Sequence, residues 1–125
     1  MSQQNNIYNM LKPKSEEDLK RDLSKLSQEE LDHLLLNMCF SAKYNINIIK
    51  ILLKFGANVN TFSGNNVTPL MYASHDNEIE SVVLFIKNNA NINFKDNSNT
   101  TALKYAISQK NIDIAELLKQ YGAKE

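Results

Sequence analysis

The sequence predicts an all-α solenoid, in which three helix-turn-helix repeats are stacked behind an N-terminal capping helix. The first observation is a period of 33 residues: Gly56-Ala57-Asn58-Val59-Asn60 recurs as Asn89-Ala90-Asn91-Ile92-Asn93 and, shortened, as Gly122-Ala123. The second is the spacing of apolar residues inside each unit, which is typical of a helix with one buried stripe. A period of this length, combined with helical spacing, indicates pairs of short antiparallel helices that bury their apolar faces against neighbouring units.

The N-terminal part is predicted to contain a tail and one helix. Residues 1–14 are rich in Asn, Gln and Ser, carry no secretory leader pattern, and are expected to be disordered. Two Ser-x-x-acid patterns follow, Ser15-Glu16-Glu17-Asp18 and Ser27-Gln28-Glu29-Glu30, and this pattern marks a helix start because side chain and backbone satisfy each other's free groups. The first pattern begins a capping helix over 16–26, and residues 15–30 form the cap with its linker.

Three repeats follow the cap. They are expected to span residues 31–67, 68–100 and 101–125, the third acting as a C-terminal cap with a polar outer face, marked by Lys119. Their helices are predicted at 29–42 and 47–55, 69–75 and 78–88, and 102–109 and 112–121.

Single residues at the helix ends support these limits. Pro69 suits the first turn of a helix because its φ is fixed and it has no N–H, and Thr68 is expected to cap that helix. Gly56, Asn89 and Gly122 lie where each second helix ends, a place that favours a left-handed backbone. The 33-residue offset also aligns Leu52, Phe85 and Leu118 as equivalent buried positions of the second helices.

Two motifs resemble those of the ankyrin-repeat family. Residues 68–73 (Thr-Pro-Leu-Met-Tyr-Ala) are similar to its opening motif and residues 52–60 (Leu-Leu-Lys-Phe-Gly-Ala-Asn-Val-Asn) to its closing motif, and the resemblance covers residues 31–125. It implies a non-enzymatic protein-interaction module without a cofactor. The family's His after Thr-Pro-Leu is replaced by Met71 and Lys104, which implies that its hydrogen bonds between repeats are absent or replaced.

A second departure from the family concerns the glycine between the two helices of a repeat. Tyr44, Asn77 and Lys110 stand at that position, and only Asn tolerates a left-handed backbone easily. The sequence therefore predicts strained or altered bends at Tyr44 and Lys110.

Composition narrows the class of function. Fourteen basic and fourteen acidic side chains cancel, so no field of one sign exists to attract nucleic acid or an anionic membrane. No apolar run approaches the roughly 20 residues needed to cross a bilayer, and the single cysteine, Cys39, cannot form an internal disulfide. We expect a cytoplasmic protein, and the Lys-, Asn- and Ile-rich composition suggests an AT-rich bacterial or viral genome, with delivery into a host cell as an effector left open.

Candidates for chemistry are few. Cys39 follows His33 by six residues on one predicted helix, which turns the two side chains about 240° apart, and the thiol is predicted to be buried in the core. No metal-ligand spacing or phosphate-binding loop is present, so no metal or other cofactor is expected. The alternative is a minimal hydrolase that uses His75 with Asp76 as its base.

The resemblance places partner binding on the turn tips and the exposed face of each first helix. By register, these positions are Lys43, Asn65, Val67, His75, Asp76, Asn97, Ser98, Thr100, Ser108 and Gln109. Phe62 and Phe94 extend the same turns, either as exposed anchors or packed beneath them. We expect a monomer, and the alternative is a structural protein that dimerises through the N-terminal helix.

Overall fold

The computed structural model describes residues 15–125, so the predicted tail lies outside the described residues. Over this range the chain forms seven α-helices and no β-strand. They are α1 (Glu16–Leu23), α2 (Gln28–Phe40), α3 (Ile46–Lys54), α4 (Pro69–His75), α5 (Ile79–Lys87), α6 (Ala102–Ser108) and α7 (Ile112–Gln120). The all-α prediction is confirmed, and the six helices of the repeats begin and end within two residues of their predicted limits.

Side-chain caps begin five of the seven described helices, three of them at the predicted residues. The Ser15 hydroxyl accepts a hydrogen bond from the Asp18 N–H, and Ser27 and Glu30 form the reciprocal pair of a capping box. Thr68 accepts from the Met71 N–H at 3.3 Å, with Pro69 in the first turn of α4. Each contact satisfies a backbone donor that the helix itself leaves free, which explains why the helices begin at these residues.

One continuous apolar core runs through the stack. Leu52, Phe85 and Leu118, which the repeat made equivalent, are each fully buried in α3, α5 and α7. The first helices α2, α4 and α6 supply further fully buried side chains, among them Leu35, Leu70 and Leu103. The predicted register between repeats is therefore confirmed in space.

Loops of similar geometry end the second helices. Gly56, Asn89 and Gly122 have positive φ values of 104°, 68° and 99°, as predicted for residues at these helix ends. After each of the first two, an Asn side chain reaches the next repeat. Asn60 Oδ1 accepts from the Asn91 N–H at 2.7 Å, and Asn93 Oδ1 accepts from the Lys124 N–H at 2.9 Å. Hydrogen bonds between repeats are thus present, carried by residues other than the family's histidine.

A further tie joins the second helix of repeat 3 to the first helix of repeat 2. Asn111 Nδ2 donates to the carbonyl oxygens of Ser74 and His75, at 2.7 and 3.1 Å, so the start of α7 holds the end of α4. Helix dipoles favour donors at a helix C-terminus, where carbonyl groups lack partners. Repeats 2 and 3 are thereby held both at their loops and between the end of α4 and the start of α7.

The first repeat departs from the predicted register between its helices. Five residues separate α2 from α3, whereas three separate α4 from α5. Because of these two additional residues, the left-handed position falls on Ala42 (φ 56°) rather than on Tyr44, so the bend near Tyr44 is altered, as the sequence predicts. Asn77 and Lys110 adopt the left-handed backbone, at φ 61° each, which asparagine tolerates and which strains the bend at Lys110, as the sequence predicts.

Two expectations at the ends of the stack are also corrected. Helix α1 ends at Leu23 rather than 26, because residues 24–26 turn back and bond to the last carbonyl groups of the helix. Its Leu19 and Leu23 are buried in the common core. At the other end, the outer face of repeat 3 is not uniformly polar, since Ile107 and Ile112 are exposed beside Lys119.

Candidate functional site

The turn tips and the first helices come together on one surface, which we call the strip. Its turn tips are residues 62–67 and 94–100. Its other residues lie on or directly after the first helices: Phe40 and Tyr44 in repeat 1, Tyr72, His75 and Asp76 in repeat 2, and Tyr105, Ser108 and Gln109 in repeat 3. Contacts across repeats join its parts. The Asn97 N–H donates to the Asn65 carbonyl oxygen at 3.0 Å, which ties the two turn tips together.

The two turns have the same backbone, one period apart. Ser63 N–H donates to the Val67 carbonyl in the first, and Asp96 N–H donates to the Thr100 carbonyl in the second, each at 3.0 Å. Asn66 and Asn99 take left-handed φ values of 61° and 62°, which asparagine tolerates better than most residues. The sequence thus places Asn where each turn reverses, and both tips are ordered by their own hydrogen bonds.

Asp96 organises the second turn. One carboxylate oxygen accepts from the Ser98 and Thr100 N–H groups, at 2.9 Å each, and the other accepts from the Tyr105 hydroxyl on α6. Burial alone would raise the pKa of Asp96, but these hydrogen bonds bring it below its ordinary value. Burial and the Asp96 carboxylate together raise the pKa of Tyr105 to about 12. The turn at the end of repeat 2 is therefore anchored to α6, the first helix of repeat 3.

Aromatic rings occupy the first-helix part of the strip. Phe40 is 74% exposed and meets Tyr72 edge-on, with ring centres 6.3 Å apart. His75 meets Tyr105 in the same way at 6.0 Å. Each pair links one repeat to the next, so the rings form an aromatic row across all three repeats. Edge-to-face contacts of this kind hold the rings in defined orientations.

The predicted His75–Asp76 pair serves as a link between repeats. His75 Nδ1 lies 3.0 Å from Asp76 Oδ1, and the Tyr44 hydroxyl donates to Asp76 Oδ2 at 2.8 Å. Both carboxylate oxygens of Asp76 are therefore engaged by protein groups. Within residues 15–125, no group of three or more His, Cys, Asp or Glu side chains is placed to hold a metal ion.

The ten residues predicted to contact a partner take different positions. Those that are exposed are Lys43, Asn65, His75, Asn97, Ser98, Ser108 and Gln109. Those that are half-buried are Val67, Asp76 and Thr100. Lys43 does not belong to the first helix as its register implied. It lies in the longer loop after α2, and Phe40 takes the helix-end position that His75 and Ser108 take in later repeats.

Phe62 and Phe94 stack on each other. Their ring centres are 6.2 Å apart with planes at 21°. Phe94 is half-buried and packs on the core, whereas Phe62 remains 53% exposed on top of it. Each of the two interpretations therefore applies to one ring: Phe94 supports the turn, and Phe62 presents its face to solvent.

Sequence reasoning missed Phe40, Tyr72 and Tyr105. Phe40 follows Met38 and Cys39, so it reads as the continuation of a buried run, and only the observed end of α2 turns it outward. Tyr72 and Tyr105 are separated by one full period. Two tyrosines in equivalent positions of the first helices could have been recognised as a repeated surface feature.

Cys39 is fully buried, as predicted, on the core side of α2. Burial, with a smaller contribution from the Asp76 charge, raises the pKa of its thiol well above the ordinary value. A neutral buried thiol is a poor nucleophile. Cys39 therefore contributes packing to the core.

Comparison with known proteins gives one family match. Residues 35–125 match a family model described as ankyrin repeats, in three copies. No curated protein matches the chain. In the part of the chain that the structure covers, no helix is both long and apolar enough to pass through a membrane.

Proposed function

Because the chain belongs to the ankyrin-repeat family, whose repeats generally act as protein-protein interaction modules, we propose that it binds a partner protein through the strip. The observation that carries the proposal is the aromatic row with Phe40 at its end. A phenylalanine with three quarters of its surface in water gains free energy when a partner covers it. The edge-to-face contact with Tyr72 holds the ring in a defined orientation.

The composition of the strip supports protein recognition. Its turn tips consist largely of Asn, Ser and Thr, beside the rings of Phe40, Phe62 and Tyr72. Binding surfaces that combine rigid aromatic anchors with small adaptable polar groups occur in antibody loops, where the rings supply contact area and the polar groups supply hydrogen bonds. Few charges lie on the strip, so we expect binding to depend little on salt.

Preorganisation supports the same proposal. The tie between Asn65 and Asn97, the Tyr44–Asp76 bond and the anchoring of Asp96 by Tyr105 all fix strip residues before any partner arrives. A surface that is already ordered loses less conformational entropy on binding. We therefore expect the strip to bind with little rearrangement.

We infer a non-catalytic role for His75 and Asp76. A hydrolase would need the Asp76 carboxylate to orient His75 toward a nucleophile or a water. Here the carboxylate is shared with the Tyr44 hydroxyl of the preceding repeat, and the imidazole lies on the open surface against Tyr105. This arrangement favours a structural and contact role.

The test is affinity capture with a variant of the strip. We would immobilise the wild-type chain and the double variant Phe40→Ala/His75→Ala, and identify captured proteins from the source cell by mass spectrometry. Asp76 is left intact because it ties two repeats together. The variant Ile79→Ala is the matched control, since it shortens an exposed apolar side chain on α5, away from the strip.

The captured protein would then be purified and its affinity measured by calorimetry. Loss of two contact side chains, one of them a large aromatic, should weaken binding by about 30-fold or more, as expected for a hot spot worth about 2 kcal/mol. The control should bind as the wild type does. Equal affinity of the double variant and the wild type would remove the strip as the binding surface.

A further inference from the structure

The outer face of repeat 3 carries apolar side chains where a stack exposed to water needs polar ones. Ile107 of α6 is 49% exposed and Ile112 of α7 is 69% exposed. Both line a shallow groove with Ala115, whose rim holds Lys110, Glu116 and Lys119. We call this surface the open face.

The equivalent position in the preceding repeat shows what normally covers this surface. One period before Ile107 stands Ser74, which is fully buried because repeat 3 covers it and Asn111 bonds to its carbonyl oxygen. The position taken by Ile107 is thus one that a neighbouring helix pair covers inside the stack. The residue types are the opposite of those expected from burial, since the covered position 74 holds Ser and the exposed position 107 holds Ile.

The other end of the described chain differs sharply. Helix α1 presents Glu16, Glu17, Asp18 and Arg21 to solvent, and two ion pairs, Lys20–Glu16 and Arg21–Asp18, lie along it. This charged face cannot cover an apolar groove without removing several charged side chains from water. Growth of the stack by head-to-tail addition of copies is therefore disfavoured.

We propose that the open faces of two copies of this chain pack against each other around a two-fold axis. In such a contact the same patch meets itself, so it must be complementary to itself. The rim meets this requirement because it contains both signs of charge, with Glu116 between Lys110 and Lys119. Across the axis, Glu116 of one copy faces the lysines of the other, while Ile107 and Ile112 cover each other in the centre.

The rim charges can make these contacts at little cost to the isolated chain. Lys119 Nζ lies 3.3 Å from a Glu125 carboxylate oxygen in an exposed ion pair, which contributes little to the stability of the isolated chain. Lys119 can therefore exchange this partner for Glu116 of a second copy. The dimer leaves Phe40 and the turn tip at 62–67 open, since both lie ahead of repeat 3, whose helices α6 and α7 form the open face.

Sedimentation velocity tests the proposal. The wild-type chain should change from monomer to dimer as its concentration rises from about 10 µM to about 1 mM, the range expected for a small interface. The variant Ile107→Ser/Ile112→Ser should raise the dimer dissociation constant by roughly ten-fold or more, because each substitution counts twice across the axis. Ser is chosen because the equivalent position 74 already holds it.

Two controls and a second variant separate this contact from other causes. Ile79→Ser removes an exposed isoleucine from α5 and Phe40→Ala removes the strip's anchor, and both should dimerise as the wild type does. Glu116→Lys makes the rim wholly positive and should weaken the dimer without affecting the core. A wild type that stays monomeric throughout, or a dimer that persists unchanged in both open-face variants, would overturn the proposal.

Discussion

The contact between Asn60 and the next repeat offers a quantitative test of how the stack is held together. Asn60 Oδ1 accepts from the Asn91 N–H at 2.7 Å, and its Nδ2 donates to the Asn89 carbonyl oxygen at 3.4 Å. The variant Asn60→Ala removes both bonds and leaves the backbone of repeat 1 unchanged. It therefore isolates a tie between repeats 1 and 2.

The size of the effect follows from the two distances and from exposure. A hydrogen bond contributes about 0.5–1.5 kcal/mol net, and the longer of the two bonds lies near the limit of hydrogen bonding. Asn60 is exposed, so water can satisfy the Asn91 N–H after the substitution, and no buried group is left unpaired. We expect a loss of about 1 to 1.5 kcal/mol in the free energy of unfolding.

Urea unfolding followed by far-UV circular dichroism measures this loss. With a slope of about 1–3 kcal/mol per molar urea, the midpoint should fall by roughly 0.3–1.5 M. Asn91→Ala is the matched control, because the Asn91 side chain makes none of these bonds while its backbone N–H is kept. A midpoint for Asn60→Ala no lower than that of Asn91→Ala would refute the reasoning that these side chains tie the repeats.

Three further predictions concern the core and the strip. Phe85→Ala, at a fully buried site, should cost about 3–5 kcal/mol out of a total of roughly 5–15, and a loss under 1 kcal/mol in the same urea assay would contradict the buried register. Tyr105→Phe should cost about 1–2 kcal/mol near neutral pH, because buried Asp96 loses a donor. The pKa of Tyr105 is raised in the folded state, so its hydrogen bond should stabilise the wild type below pH 10, and this stabilisation should be lost as the pH rises through about 12. An ultraviolet titration in which all tyrosines ionise near pH 10 would contradict this prediction. Cys39 should react with a thiol reagent at pH 8 no faster than the folded chain opens, because the thiol is buried and burial raises its pKa. Labelling of the native chain as fast as that of the urea-unfolded chain would contradict the burial of Cys39.

Much of the fold could be predicted because equivalent residues recur 33 positions apart, so the role of one residue indicates the role of its equivalents. Gly56, Asn89 and Gly122 fix the ends of three helices, and the offset among Leu52, Phe85 and Leu118 fixes which faces are buried. The register failed in the first repeat, where two additional residues separate α2 from α3. A loop can absorb such an insertion on the surface without disturbing the core, so the apolar pattern gives no sign of it.

The candidate site was harder to predict than the scaffold. The turn tips follow from their position after each second helix, and Asn65 and Asn97 were found in that way. The exposure of Phe40 depends on where α2 ends, and its contact with Tyr72 joins residues 32 positions apart in different repeats. Apolar spacing predicts burial of such a residue, so its exposure becomes visible only when the neighbouring repeat is in place.

The exposed isoleucines show the same limit at the end of the stack. Lys119 indicated a polar outer face, because it breaks the apolar stripe of the second helix. Ile107 lies on α6, a first helix, whereas the apolar stripe seen in the sequence belongs to the second helices. Its exposure follows only from the position of α6 at the outer side of repeat 3.

Backbone amide chemical shifts of the isotope-labelled chain, recorded by NMR as the captured partner is added, test the central claim most directly. If the strip is the binding surface, the largest changes will fall near Phe40, in the two turn tips and at the ends of α4 and α6. Changes confined to the exposed sides of α3, α5 and α7, with the strip unaffected, would contradict it.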